Sequence, residues 1–191
     1  MGAIERLNIA DVVRDLCEQD DKRPASYWTE PQGYEQHQPR GKKSARGDAG
    51  GGMKRAASVR WFKEVEMKKG NALADRDNAE GLGGFVQWFH GVISRVESET
   101  LLMSQSTGTF LIRVSESRFG YSLSVKTDSR IKHFMIDQTE DGQNMVVGND
   151  RRFASLNALA SHHRHSPLTE DGDKLLTPCP QKESNLSELI G

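Results

Sequence analysis

The segment Gly108-Thr109-Phe110-Leu111-Ile112-Arg113-Val114-Ser115-Glu116-Ser117 places a charged residue inside an otherwise apolar run. Phe110, Leu111, Ile112 and Val114 supply apolar side chains to both sides of a period-two alternation, which marks a central strand covered on both faces. A guanidinium buried there has to meet an anion, because an uncompensated charge in such surroundings is very costly. Ser115 points to the same face as Arg113, since alternate strand residues share a face. Glu116-Ser117-Arg118-Phe119-Gly120 then forms a short polar turn whose hydroxyls and backbone N–H groups can grip an oxyanion. Two partners can satisfy Arg113: an internal carboxylate, the commoner solution for a single strand arginine, or a bound anion.

Upstream, Ser94 followed by Glu97 forms a capping box, and Val96, Leu101 and Leu102 continue it as an amphipathic helix. Arg95 stands in the first turn of that helix, where the macrodipole disfavours a cation. A bound anion would change the balance, since helix N-termini favour anions and a guanidinium reinforces such a site. Downstream, residues 121–126, 131–136 and 145–147 read as further strands separated by Gly, Ser and Asp turns. Phe153, Leu156, Leu159 and His163 mark a second helix capped by Ser155. This order predicts an α+β fold in which a central antiparallel β-sheet is flanked by two α-helices.

Composition sets the frame for the rest of the 191-residue chain. Twenty-six Lys and Arg against twenty-seven Asp and Glu leave a formal charge of -1, which argues against a protein built mainly to coat nucleic acid or an anionic membrane. Hydrophobic residues make up 35%, below the ~45–50% usual for a compact domain, so part of the chain is expected to stay unfolded. A protein kinase or phosphatase domain needs roughly 250 residues and does not fit. Ile4, Leu7, Val12, Val13 and Leu16 suggest a short amphipathic helix within 1–19, residues 20–57 read as a disordered linker, and 58–87 as a short helix with a Gly-rich linker. The domain itself is placed at 88–180, with 181–191 as a tail. Cys17 and Cys179 form no C-x-x-C pair, and neither a secretory signal nor an apolar run of ~18 residues is present, so a cytoplasmic location is expected. Met1-Gly2 opens like a myristoylation signal, but Arg6 stands where Ser or Thr is required.

Trp88-Phe89-His90-Gly91-Val92-Ile93-Ser94-Arg95, the Gly108–Ser117 segment, Gly120-Tyr121-Ser122-Leu123-Ser124-Val125 and Lys132-His133-Phe134, in this order and spacing, resemble the Src-homology-2 (SH2) domain. Leu175-Leu176-Thr177-Pro178-Cys179-Pro180 and the upstream Trp61-Phe62 are most similar to the haematopoietic SH2 and T-cell-specific adaptor subgroup. The resemblance implies a phosphotyrosine pocket. Arg113 would pair bidentately with the phosphate, Arg95 would cover phosphate and ring, and Ser115, Ser117 and the Glu116 backbone N–H would donate to phosphate oxygens. His133 would pack against the tyrosine ring, with Ser122 on the same face of the neighbouring strand. A planar fork suits a phosphate dianion, and a deep arginine selects the long phosphotyrosine over phosphoserine. Phe134, Met135, Val147, Gly148 and His162 fall to the peptide-specificity half, together with the 167–172 loop. Met135 stands where many SH2 domains carry a basic residue.

The resemblance implies a non-catalytic, monomeric signalling adaptor that binds tyrosine-phosphorylated receptors, kinases or scaffolds and needs no cofactor. The alternative is an SH2-fold scaffold with a silent pocket that acts through its N-terminal segment on protein, RNA or lipid. Arg40-Gly41-Lys42-Lys43-Ser44-Ala45-Arg46 is the basic patch such binding would use, but no neighbouring aromatic offers base stacking, and nucleic-acid binding is not expected. His162, His163 and His165 lack the spacing and partners of a metal site. No nucleophile elbow, zinc signature or phosphate-cradling glycine loop indicates an enzyme. Ser58, preceded by Lys54-Arg55-Ala56-Ala57, is a candidate phosphorylation site at a helix N-terminus, and Tyr27 and Tyr34 are candidates in the linker.

Overall fold

The computed structural model describes residues 49–69, 73, 84–116 and 118–190. The chain divides after Gly52 into two units, and the sheet with the helices packed on it belongs to the unit beginning at Met53. The expected helix at 1–19, Tyr27, Tyr34 and the Arg40–Arg46 patch lie outside the described residues, as does Ser117.

The sheet is built on β2 (Thr109–Val114), β3 (Tyr121–Lys126), β4 (Ile131–Gln138), β5 (Asn144–Val146) and β6 (Arg152–Phe153), each antiparallel to the next. The far edge of β2 carries β1 (Phe89–Val92) and β7 (Thr177–Pro178), both parallel to it. The expected antiparallel sheet is therefore mixed. Its cause is the connection: β1 reaches β2 through the helix α2 (Arg95–Met103), and a strand–helix–strand crossover returns the chain in the same direction. Neither short edge strand carries a period-two pattern of its own.

Every β2 residue is buried, as an apolar run on both faces requires. Register sorts the faces. Arg113 lies opposite Ser122, which lies opposite Met135, and Leu111 lies opposite Ser124, which lies opposite His133. The helix α2 covers this face, where Ile93, Leu102, Leu111 and Cys179 form one core cluster with Leu101 and Ile131 against it. The capping box forms as expected: Glu97 N–H donates to Ser94 Oγ at 3.1 Å and Ser94 N–H donates to Glu97 Oε2 at 2.7 Å. The helix α3 (Leu156–His165), capped by Ser155, packs against β5 and β6.

Two further segments join the domain. The helix α1 (Ala49–Trp61) continues as a π turn over Phe62–Glu66 and a 3-10 turn over Met67–Lys69. Its start overturns the reading of residues 49–57 as disordered linker, and Ser58 stands inside the helix, not at its N-terminus. Docking supplies what glycine-rich propensity withholds. Trp61, Phe62 and Val65 are buried, and the Phe62 ring stacks on Phe89 at 5.3 Å. The π turn, closed by Met67 N–H on the Phe62 carbonyl, also brings Glu66 to the interior. At the other end, the expected tail 181–191 contains the helix α4 (Glu183–Ile190), whose Leu186 and Leu189 are buried where α4 packs on β1. Gly91 permits that approach. Its φ is +66°, and a Cβ there would collide with the Asn185 carbonyl.

Candidate functional site

Arg113 is 7% exposed at the middle of the sheet, on the face covered by α2. Its Nη1 donates to the Ile93 carbonyl at 3.0 Å, while the buried Nε makes no hydrogen bond. Among the described residues no carboxylate pairs with it. The two acidic groups whose charges act on it most, Glu116 and Glu97, are engaged elsewhere: Glu116 Oε1 meets Arg55 Nη1 at 2.7 Å, and Glu97 caps Ser94. Burial therefore pulls the Arg113 guanidinium below its ordinary value, with Glu116 acting in the opposite sense. Among the described residues, the internal ion pair that would make this arginine purely structural is not formed.

Around Arg113 the sheet face is polar. Ser122 is its cross-strand neighbour, and Ser115 follows it on the same side, both buried. The Ser115 N–H donates to the Gly120 carbonyl at 2.9 Å, closing the β2–β3 loop. Arg118, which sequence reasoning passed over as one turn residue among several, braces that loop. It pairs with Asp137 at 2.7 Å and donates to the Tyr121 and Ile136 carbonyls.

Arg95 is placed as expected at the first turn of α2, but it is largely exposed and its Nε meets Glu99 Oε1 at 2.9 Å. The same carboxylate oxygen lies 3.0 Å from His133 Nε2. Glu99 thus joins the two residues expected to flank a bound ring, and sequence reasoning missed it; its position four residues after Arg95 was the available signal. Because Glu99 only accepts, the neutral His133 ring carries its proton on Nε2, and Nδ1 accepts from the Ser124 hydroxyl at 2.9 Å. Burial and then the Arg95 charge hold His133 below its ordinary pKa, and Glu99 opposes them. Glu99 itself is lowered, chiefly by its hydrogen bond from Arg95.

The peptide-specificity candidates separate. Met135 faces Ser122 and so shares the Arg113 side, whereas Phe134, opposite Leu123, belongs to the other face. Adjacent strand residues cannot share a face, so Met135 and Phe134 stand on opposite sides of β4. Val147 is held beside β4 by its N–H on the Met135 carbonyl at 2.9 Å, and Gly148 turns the chain at φ +93° with open space beside it. Asn149 Nδ2 donates to the Leu168 carbonyl at 3.4 Å, which joins this turn to the 167–172 loop. Lys132 fastens that loop to β4 through Asp171 and Asp173, each at 2.6 Å. His162 packs on Phe153 at 5.3 Å, and His163 on the same ring at 5.6 Å.

Comparison with protein families matches residues 88–163 to the SH2 domain. Residues 88–163 are an SH2 domain. The chain is 45% identical over 123 residues to the Hematopoietic SH2 domain-containing protein of Homo sapiens, a match covering 64% of this chain and 32% of that protein. The homolog of that protein in Danio rerio is 44% identical over 105 residues, covering 54% of this chain and 29% of the relative. The chain thus matches about a third of the length of these relatives. Among solved structures, the solution NMR structure of the Monosiga brevicollis CRK/CRKL homolog SH2 domain aligns at 25% identity and TM-score 0.47, covering 58% of this chain and 99% of that one. Within this SH2 domain, Arg113 is buried in β2, and Ser122, Met135 and His133 lie on the same face of the sheet. No helix among the described residues is long and apolar enough to cross a membrane.

Proposed function

We propose that this chain is a non-catalytic signalling adaptor of the cytoplasm whose SH2 domain captures tyrosine-phosphorylated proteins. The observation that carries this reading is Arg113: a guanidinium 7% exposed, held by one backbone carbonyl, whose acidic neighbours Glu116 and Glu97 are paired with other groups. A phosphate dianion supplies the missing counter-charge with oxygens spaced for a bidentate fork. Ser115, Ser117 and the Glu116 N–H are assigned to the remaining phosphate oxygens, with Arg95 and His133 to the tyrosine ring. Arg95 reaches the ligand by exchanging Glu99 for phosphate, a trade of one charge-assisted bond for a stronger one. The peptide then crosses β4 toward Phe134, Val147, Gly148 and the 167–172 loop, with His162 behind it.

Fluorescence polarisation of the full chain against phosphotyrosine, phosphoserine and unphosphorylated peptide libraries tests the reading. Saturable binding to phosphotyrosine alone, weakened at least a hundredfold by Arg113→Ala, is expected. Binding indifferent to phosphate or to Arg113 would overturn it and leave a silent pocket.

A further inference from the structure

The segment Lys54-Arg55-Ala56-Ala57-Ser58 sets an arginine three residues ahead of a serine, the arrangement that arginine-directed serine kinases read. Both recognition groups are occupied by the domain. Ser58 is 2% exposed, and its Oγ donates to the Ser115 carbonyl at 2.9 Å. Arg55 Nη1 meets Glu116 Oε1 at 2.7 Å, and its Nε meets Glu188 Oε1 of α4 at 3.2 Å. Further along α1, the Trp61 ring lies 6.0 Å from Phe119 and 5.8 Å from Tyr121. The helix therefore holds the β2–β3 loop through Ser115, Glu116 and Phe119, the same loop that carries the assigned phosphate donors.

A kinase needs the acceptor hydroxyl and its guiding arginine in an accessible segment, and docked α1 offers neither. A phosphoserine carries a charge of about -1.5 to -2 and three solvated oxygens. Such a group cannot return to a site where the hydroxyl was buried against a backbone carbonyl, with the Glu116 carboxylate on the next residue. We propose that Ser58 is a masked phosphorylation site, and that its modification and the docking of α1 on the β2–β3 loop exclude each other. In the reaction the γ-phosphorus of ATP bonds to Ser58 Oγ, the bond to the β–γ bridging oxygen breaks, ADP leaves, and the hydroxyl proton passes to the kinase's base. The consequence rests on the phosphotyrosine reading. Undocking takes Arg55 from Glu116, frees the loop and leaves an unscreened carboxylate beside the bound phosphate, so peptide affinity falls. Linkage then requires that phosphotyrosine peptide, by favouring the docked loop, lower the population of undocked α1 that a kinase can modify.

The test incubates the full chain with ATP and the catalytic subunit of cyclic-AMP-dependent protein kinase and follows phosphate at Ser58 by mass spectrometry. Phe62→Ala undocks α1 by removing its stacked ring. The double variant Glu116→Gln/Glu188→Gln removes both ion pairs that fasten Arg55 and so raises the population of undocked α1 without opening a cavity in the core, and decides the matter if Phe62→Ala does not fold. Ser58 is expected to be modified at least tenfold faster in the variants than in the parent, and the modified chain to bind a phosphotyrosine peptide about tenfold more weakly. Equal rates in parent and variants would overturn the masking, absence of phosphate in the folded double variant would overturn the site, and unchanged peptide affinity would overturn the coupling. If the unmodified chain binds no phosphotyrosine peptide, the pocket reading fails separately. Masking is then still decided by the rates and by faster hydrogen exchange of α1 amides after modification.

Discussion

The Tyr121 hydroxyl donates to Glu66 Oε2 at 2.9 Å, tying the first residue of β3 to the π turn that ends α1. Burial raises the Tyr121 pKa well above the ordinary phenol value, and the Glu66 charge adds to the effect. The phenol thus remains a donor throughout the physiological range, and a segment 55 residues upstream is fixed beside the β2–β3 loop. Tyr121→Phe removes a donor from a buried carboxylate and should cost about 1.5–3 kcal/mol, read as a lower urea midpoint with an unchanged slope.

Phe62, the first residue of the π turn that follows α1, is 1% exposed and stacked on Phe89. Phe62→Ala should destabilise the domain by about 3–5 kcal/mol in the same urea experiment. A loss under 1 kcal/mol would mean that α1 is an appendage and not part of the fold.

Gly91 stands at φ +66° beneath the Asn185 carbonyl. Gly91→Ala adds both a left-handed strain and a clash with α4, together about 1–3 kcal/mol. Amide exchange over residues 183–190 should accelerate more than exchange in β3, because α4 can move away while the central strand cannot.

His90 is fully buried, donates from Nε2 to the Cys179 carbonyl at 3.1 Å, and has no partner at Nδ1. Burial pushes its pKa down to about 4 from 6.5. The unfolded chain therefore takes up a proton that the folded chain refuses, so stability is complete above pH 6.5 and falls as pH drops toward 4. The loss should reach about 3 kcal/mol by the bottom of that window. His133 and His163, both lowered by burial, act in the same direction. In denaturant melts from pH 7 to pH 4, His90→Gln should show a shallower decline than the parent chain.

Phosphopeptide binding should weaken as pH falls through about 6, where a phosphotyrosine dianion takes up its second proton. His133, held below its ordinary pKa by burial and the Arg95 charge, supplies less compensating positive charge on acidification than an unperturbed histidine would. Titration of affinity between pH 7.5 and 5.5 checks this. Affinity that rises on acidification would place a protonated histidine in the pocket.

Local patterns in the sequence were enough to specify the body of the domain. The apolar run around Arg113, the Ser94/Glu97 box, strands β2 to β5 and the Ser155-capped helix are written in alternation, capping chemistry and helical spacing, all of which act between near neighbours. Arg113 announced itself because a charge inside a two-sided apolar strand violates the pattern around it. What the tertiary structure alone decided is how distant segments meet. Residues 49–57 resemble a linker until Trp61 and Phe62 find the sheet, and residues 181–191 resemble a tail until Leu186 and Leu189 find β1 beside Gly91. The counter-charges obeyed the same logic. Glu99 on His133, Arg55 on Glu116 and Arg118 on Asp137 are pairings across 19 to 61 residues, and only packing assigns them. The order of residues determines which groups carry charge, but the low-dielectric geometry of the folded domain chooses which of them are left for a ligand.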